Sequence, residues 1–254
     1  MSEQSSQNHP VIDLFNALDS VFIEYPAGVI AVPEQIIATS FFPGGTGLWC
    51  EDSNIIPPLP IGGIMVLGHD FHSEDGYKSS LQNKGENLNT PTWRNLIALF
   101  NEDGVKIDLK QCFFTNVYMG LRQGAKTTGS FPGAKDSEFV GRCEDFFIRQ
   151  FKQQQPRLII ALGTNVPKFL APLSPNLISW KKSGGFKRID EEKTALITNV
   201  KFDNVDIKCT IVAILHPSFR LSNVRHRKWE GLEGHQAEIA LLSKAKSIAD
   251  PISQ

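Results

Sequence analysis

The sequence predicts an α/β fold in three layers, a mostly parallel sheet covered by helices on both faces. Three observations lead there. Short unbroken apolar runs, such as Ile64-Met65-Val66-Leu67 and Leu158-Ile159-Ile160-Ala161-Leu162, have the length and two-sided apolarity of strands buried in a parallel sheet. Segments with apolar residues at helical spacing alternate with these runs. With 254 residues, 41% of them hydrophobic, the chain can bury one sizeable core, so a single domain is expected.

Residues 1 to 9 are polar and read as a disordered tail, residues 10 to 250 as the domain, and residues 251 to 254 as a second short tail. Val11, Leu14, Phe15, Leu18, Val21 and Phe22 recur at helical spacing and predict a helix from Val11 to Tyr25. Proline and glycine from Phe42 to Gly63 predict loop, ending at the first buried strand, Ile64 to Leu67. Pro91 suits the first turn of a helix, where its missing N–H is not needed; that helix continues through Trp93, Leu96, Ile97 and Phe100 and stops at Gly104. A second strand follows at Gln111 to Val117. The Gly-, Thr- and Pro-rich segment Lys126 to Lys135 reads as loop, and Ser137 to Gln154 as a long amphipathic helix. Arg157 to Gly163 is a strand ending in a glycine turn, with Thr164 or Asn165 capping the next helix. Two β-rich runs, Thr194 to Phe202 and Val205 to Leu215, flank Asp203-Asn204, a hairpin turn. The last helix is expected over Trp229 to Ala249.

A formal net charge of −1 speaks against a protein that coats nucleic acid by charge alone. The basic residues are nonetheless uneven. From His216 to Lys228 the chain holds Arg220, Arg225, Arg227 and Lys228 with no acid, which suits either a solvated loop or a phosphate-contact surface. No stretch approaches the ~20 apolar residues of a membrane span, and MSEQSSQNHP lacks the basic and apolar regions of a signal peptide, so a cytoplasmic protein without a membrane partner is expected. Four cysteines, Cys50, Cys112, Cys143 and Cys209, are scattered without C-x2-C spacing and read as reduced structural residues.

Two polar loops follow apolar runs directly: Gly68-His69-Asp70-Phe71-His72 and His216-Pro217-Ser218-Phe219-Arg220-Leu221-Ser222. Open parallel sheets bind ligands at the carboxyl ends of their strands, so these loops are candidates for one cleft. Asp70 at a strand end can orient water or balance positive charge on a sugar that is losing its base, and it can equally cap a turn. His69, Asp70 and His72 also offer metal ligands, which keeps a metal-dependent hydrolase open. Asn116 carries an amide that donates and accepts, the pattern of a nucleobase edge, although asparagines also cap turns.

Taken in order, these pieces resemble the uracil-DNA glycosylase superfamily. Gly68-His69-Asp70-Phe71-His72 is similar to its water-activating loop, written G-Q-D-P-Y in one branch. Phe114-Thr115-Asn116-Val117 is similar to the strand bearing its base-reading Asn. Cys143 to Gly163 resembles the helix and strand before an L-G turn in the bacterial and archaeal branches, and His216-Pro217-Ser218-Phe219-Arg220-Leu221 its H-P-S minor-groove loop. The resemblance implies a four-stranded, mostly parallel sheet between helices. It implies a monofunctional DNA glycosylase, a monomer acting on single- or double-stranded DNA, that extrudes a pyrimidine and hydrolyses its N-glycosidic bond without metal or other cofactor. Asp70 and His216 would be catalytic, Asp70 orienting water and His216 donating to the pyrimidine oxygen. Asn116 would read the base, with Phe71 or Tyr77 stacking on it and His72 close by. Ser218, Phe219, Arg220 and Leu221 would enter the duplex, and Arg225, Arg227 and Lys228 would lie near phosphates.

The sequence also departs from that pattern. Phe71 and His72 stand where the G-Q-D-P-Y loop has Pro and the Tyr that excludes a methyl group on carbon 5. An enlarged, 5-substituted pyrimidine of the kind some phages carry therefore joins uracil as a substrate, in base-excision repair or in defence against modified phage DNA. The superfamily's iron-sulfur branches use four cysteines, and only Cys143 falls near a matching place, so no cluster is expected. A non-catalytic nucleic-acid-binding module on the same fold is the alternative.

Overall fold

The computed structural model describes residues 9–21, 23–32, 41–43, 47, 49, 55–83, 85–182 and 184–250. Nearly all of the two predicted tails, Phe22, Cys50 and parts of the Pro- and Gly-rich stretch lie outside the described residues.

In chain order the elements are α1 (Pro10–Val21), β1 (Val29–Ile30), β2 (Ile64–Asp70), α2 (Glu74–Gln82), α3 (Pro91–Asn101), β3 (Cys112–Tyr118), β4 (Leu121–Arg122) and α4 (Ser137–Gln154). They continue with β5 (Leu158–Leu162), α5 (Asn165–Leu170), α6 (Phe186–Glu191), β6 (Leu196–Lys201), β7 (Lys208–Ile214), α7 (Arg220–Asn223), β8 (Lys228–Trp229), β9 (Leu232–Glu233) and α8 (Gly234–Ala249).

The central sheet has five strands in the order β3-β2-β5-β7-β6. β3, β2, β5 and β7 run parallel, and every residue of β3 and β5 is buried, as expected for strands covered on both faces. The sheet therefore has one strand more than the resemblance implied. The extra strand is β6, a half-exposed antiparallel edge that pairs with β7. It is reached through the predicted turn, where Asn204 takes the left-handed conformation at φ 59°. Packed helices complete the α/β/α arrangement: α4 lies against β3, and α8 against β7.

Local chemistry explains the element ends. Asp136 caps α4 by accepting the Phe139 N–H at 2.9 Å, and Gln155 closes it in the left-handed region. α4 buries Phe139, Phe146, Phe147 and Phe151, each contributing roughly 1.5–3 kcal/mol. Pro91 occupies the first turn of α3. The last helix starts later than predicted because β8 and β9 form a tight hairpin over Glu230 and Gly231, both at positive φ. α2 has no clear periodic signal, since Tyr77 is its one buried residue. No helix among the described residues is long and apolar enough to cross a membrane.

Candidate active site

The sheet brings the loops after its parallel strands to one end. β2 and β3 pair in a register that sets Gly68 opposite Asn116. A Cβ at Gly68 would collide with Asn116 Oδ1 and would meet the Phe41 ring at 3.3 Å, so glycine is what lets the amide lie across the strand. Asn116 is buried, yet its amide has no hydrogen-bond partner among the described residues. Its amide atoms are not among the side-chain atoms sealed from solvent without a partner, so a ligand that offers one donor and one acceptor can take the place of water there. Phe41, packed on Trp93 and Phe114, sets its ring beside Gly68.

Asp70 ends β2 and is gripped from β4. Arg122 donates from Nε to Oδ2 at 2.6 Å and from Nη2 to Oδ1 at 3.1 Å. The same buried guanidinium holds the carbonyls of Thr128, Gly129 and Ser130 at 3.4, 3.0 and 3.0 Å. His69 Nδ1 lies 2.5 Å from Asp70 Oδ1. Burial pushes the Asp70 pKa up, but the hydrogen bonds from His69 and Arg122 outweigh it and hold the carboxyl below its ordinary value. Beside His69 opens a cavity of about 330 Å³ lined by Tyr118, Phe131, Glu144, Asn165, Lys168 and Phe169.

His216 follows β7 and rests on the Gly163 turn. The φ of 80° at Gly163 favours glycine, and so does the crowding there: a side-chain Cβ at this position would sit 3.2 Å from His216 Cβ. His216 Nδ1 accepts the Ser218 N–H at 3.3 Å and lies 2.7 Å from Ser218 Oγ. The neutral ring must then carry its hydrogen on Nε2. Burial pushes the His216 pKa down, the Asp70 charge raises it and His69 lowers it, so the three side chains share one electrostatic neighbourhood. Asn95 on α3 fixes the loop by donating to the Pro217 carbonyl at 2.8 Å.

The structure thus sets Asp70 and His216 in one electrostatic neighbourhood, with Asn116 across Gly68 on the adjoining strand, and moves other predicted residues elsewhere. Phe71 and Tyr77 are buried against Leu121, their rings 5.7 Å apart, because the loop turns inward after Asp70; neither is free to stack on a base. His72 is exposed and folds back on α2, where its Nδ1 accepts the Ser73 N–H at 2.9 Å. It does not join His69 and Asp70 as a ligand set, and among the described residues no group of three or more His, Cys, Asp or Glu is arranged to hold a metal ion.

Two of the predicted DNA-contacting arginines also turn inward. Arg220 pairs with Glu238 at 2.5 Å and meets His235. Arg227 pairs with Asp190 at 2.9 Å and Glu238 at 3.2 Å and lies 4.3 Å from the centre of the Phe186 ring. Desolvated guanidinium groups need carboxylates, so both residues support the loop from beneath instead of facing phosphates. Glu238 also accepts the Leu215 N–H at 2.9 Å, next to His216 in the chain. Lys228 is exposed and paired with Glu233, and Arg225 is exposed beside His226. At the loop tip Phe219 and Leu221 are 57% and 67% exposed, and Ser218 sits half-buried behind them. Sequence reading misses Phe41, Arg122 and Glu238, none of which stands in a local pattern that announces it.

No curated protein matches the chain. A family model described as the Uracil DNA glycosylase superfamily matches residues 77–233, a span that takes in Asn116, the Gly163 turn and the whole His216 loop and begins just past Asp70. With that match covering well over half of its length, the chain belongs to the uracil-DNA glycosylase superfamily.

Proposed function

We propose that the protein is a monofunctional DNA glycosylase that extrudes uracil or a 5-substituted pyrimidine and hydrolyses its N-glycosidic bond, leaving an abasic site. Superfamily members are generally DNA glycosylases and act on DNA. The observation that carries the reading is the Asn116 amide, without a hydrogen-bond partner among the described residues and lying across Gly68, two positions before the Asp70 whose charge is felt at His216. An amide pairs with a pyrimidine edge through one donor and one acceptor, and Phe41 takes the stacking role that the sequence suggests for Phe71 or Tyr77.

As the bond between C1′ and the base lengthens, its electron pair moves onto the base and positive charge grows on the sugar. The neutral His216 donates from Nε2 to the pyrimidine oxygen, a fixed donor aimed at developing charge in a water-poor site. Asp70, kept anionic by its partners, faces the sugar. The exposed Phe219 and Leu221 offer an apolar wedge that offsets part of the few kcal/mol spent on unstacking. His72 folds away and Phe71 turns inward, so neither crowds carbon 5, which favours an enlarged base and with it a role in clearing modified phage DNA as well as in repair.

The test uses end-labelled duplexes carrying one uracil, thymine or 5-substituted cytosine each, treated with enzyme and then with hot alkali. Strand breaks that appear only after alkali support the reading. Intact strands from every duplex, with binding retained, overturn it and leave a non-catalytic binding module.

A further inference from the structure

Asp70 is a poorly placed proton acceptor. Both its oxygens already take hydrogen bonds from a buried guanidinium, and Oδ1 also faces His69 Nδ1. Each such bond stabilises the carboxylate and weakens it as a base. The imidazole next to it has the opposite character. With Nδ1–H directed at Asp70, the neutral ring carries its lone pair on Nε2, on the other edge. That nitrogen has no hydrogen-bond partner among the described residues, and the ring borders the cavity of about 330 Å³.

We propose that His69, not Asp70, takes the proton from the attacking water, with Asp70 and Arg122 as positioning residues that fix its tautomer and stabilise the imidazolium it becomes. This assignment rests on the glycosylase reading. In the step, the water oxygen bonds to C1′ as the bond from C1′ to the base breaks. The electron pair leaves with the base, whose charge is held by His216. One water proton passes to His69 Nε2 and then to solvent or to the departing base, so atoms and charge balance. An Asp–His pair in which the carboxylate orients the ring is a general design for taking a proton from a nucleophile.

The groups facing His69 are Asp70 on its own strand, Tyr118 from β3, Arg122 from β4, Glu144 from α4, Lys168 from α5 and His216 from the loop after β7. Burial holds the Tyr118 hydroxyl up at about 12, so it stays neutral through the working range.

The experiment measures single-turnover base release against pH, on the duplex the wild-type full-length protein cleaves, for wild type, His69→Ala, His69→Asn, Asp70→Asn and His216→Gln. His69→Ala is expected to lose about 100-fold or more in rate, bind the duplex normally, lose the acid limb of the profile and regain activity with added imidazole. His69→Asn, which can keep a donor to Asp70, is expected to be equally slow and carries the test should the alanine variant fail to fold. His216→Gln is expected to be slower but to retain the acid limb. If both His69 variants keep the acid limb and imidazole does nothing, while Asp70→Asn loses it, Asp70 is the base and the proposal is overturned. If wild type releases no base from any duplex, the glycosylase reading itself falls.

Discussion

Arg122 binds Asp70 through two nitrogens, Nε to Oδ2 at 2.6 Å and Nη2 to Oδ1 at 3.1 Å, and with the same guanidinium gathers three successive carbonyls, Thr128 to Ser130. One side chain from the short strand β4 thereby fixes the carboxylate of the site and one of its walls. Arg122→Ala leaves the Asp70 carboxylate with His69 but without the guanidinium and strips three carbonyls of their donor, and is expected to cost about 3–5 kcal/mol in chemical denaturation. Arg122→Lys, which keeps the charge but loses the planar fork, should recover only part of that.

The same clamp sets an acid dependence. The Asp70 carboxyl lies below its ordinary value of 3.8 in the fold, so its stabilisation is fully present above the unfolded value and is lost as pH falls through the folded one. Asp70→Asn should therefore destabilise the protein at neutral pH, and the gap from wild type should narrow below about pH 4 in denaturation curves taken across pH.

Glu238 accepts from two buried arginines and from the Leu215 N–H, so it holds the His216 loop from behind. Glu238→Ala should cost about 3–5 kcal/mol and slow base release as the loop loosens. The exposed Arg225 makes the contrasting case. Arg225→Ala should leave stability nearly unchanged and reduce the slope of log affinity against log salt by about one, whereas Arg227→Ala should act chiefly on folding.

Phe219 and Leu221 are largely exposed, Phe219 meeting the His216 ring at 6.0 Å between centroids, so replacing both by alanine should change stability by no more than about 0.5 kcal/mol each. Base release from a duplex should fall about 10-fold or more, since the wedge offsets unstacking, while release from single-stranded DNA, which needs none, should hardly change. Parallel assays on the two substrates separate these effects.

How much of this is legible in the sequence depends on how local the cause is. α4 matches its predicted limits because period, cap and closing turn all lie within the segment. The hairpin of β6 and β7 is readable for the same reason. Asp70, Asn116 and His216 are visible as polar residues at strand ends. What fails depends on distant partners: Arg220 and Arg227 read as a basic surface because Glu238 and Asp190, which neutralise them, come from other helices. Phe71 in a polar loop fits a base platform as well as a small satellite core, and only the inward turn after Asp70 decides. The two-residue ladder of β1 and β4, which delivers Arg122, is too short to show any period.

The central claim is that this site cuts the bond between sugar and base. Mass spectrometry of the small molecules released from duplexes containing uracil and 5-substituted pyrimidines tests it most directly, with Asn116→Ala and His216→Ala run alongside wild type. The account predicts a free pyrimidine base from at least one duplex with the phosphate backbone intact, lost or strongly reduced in both variants. Bound DNA with no free base, or release that both variants leave untouched, would contradict it.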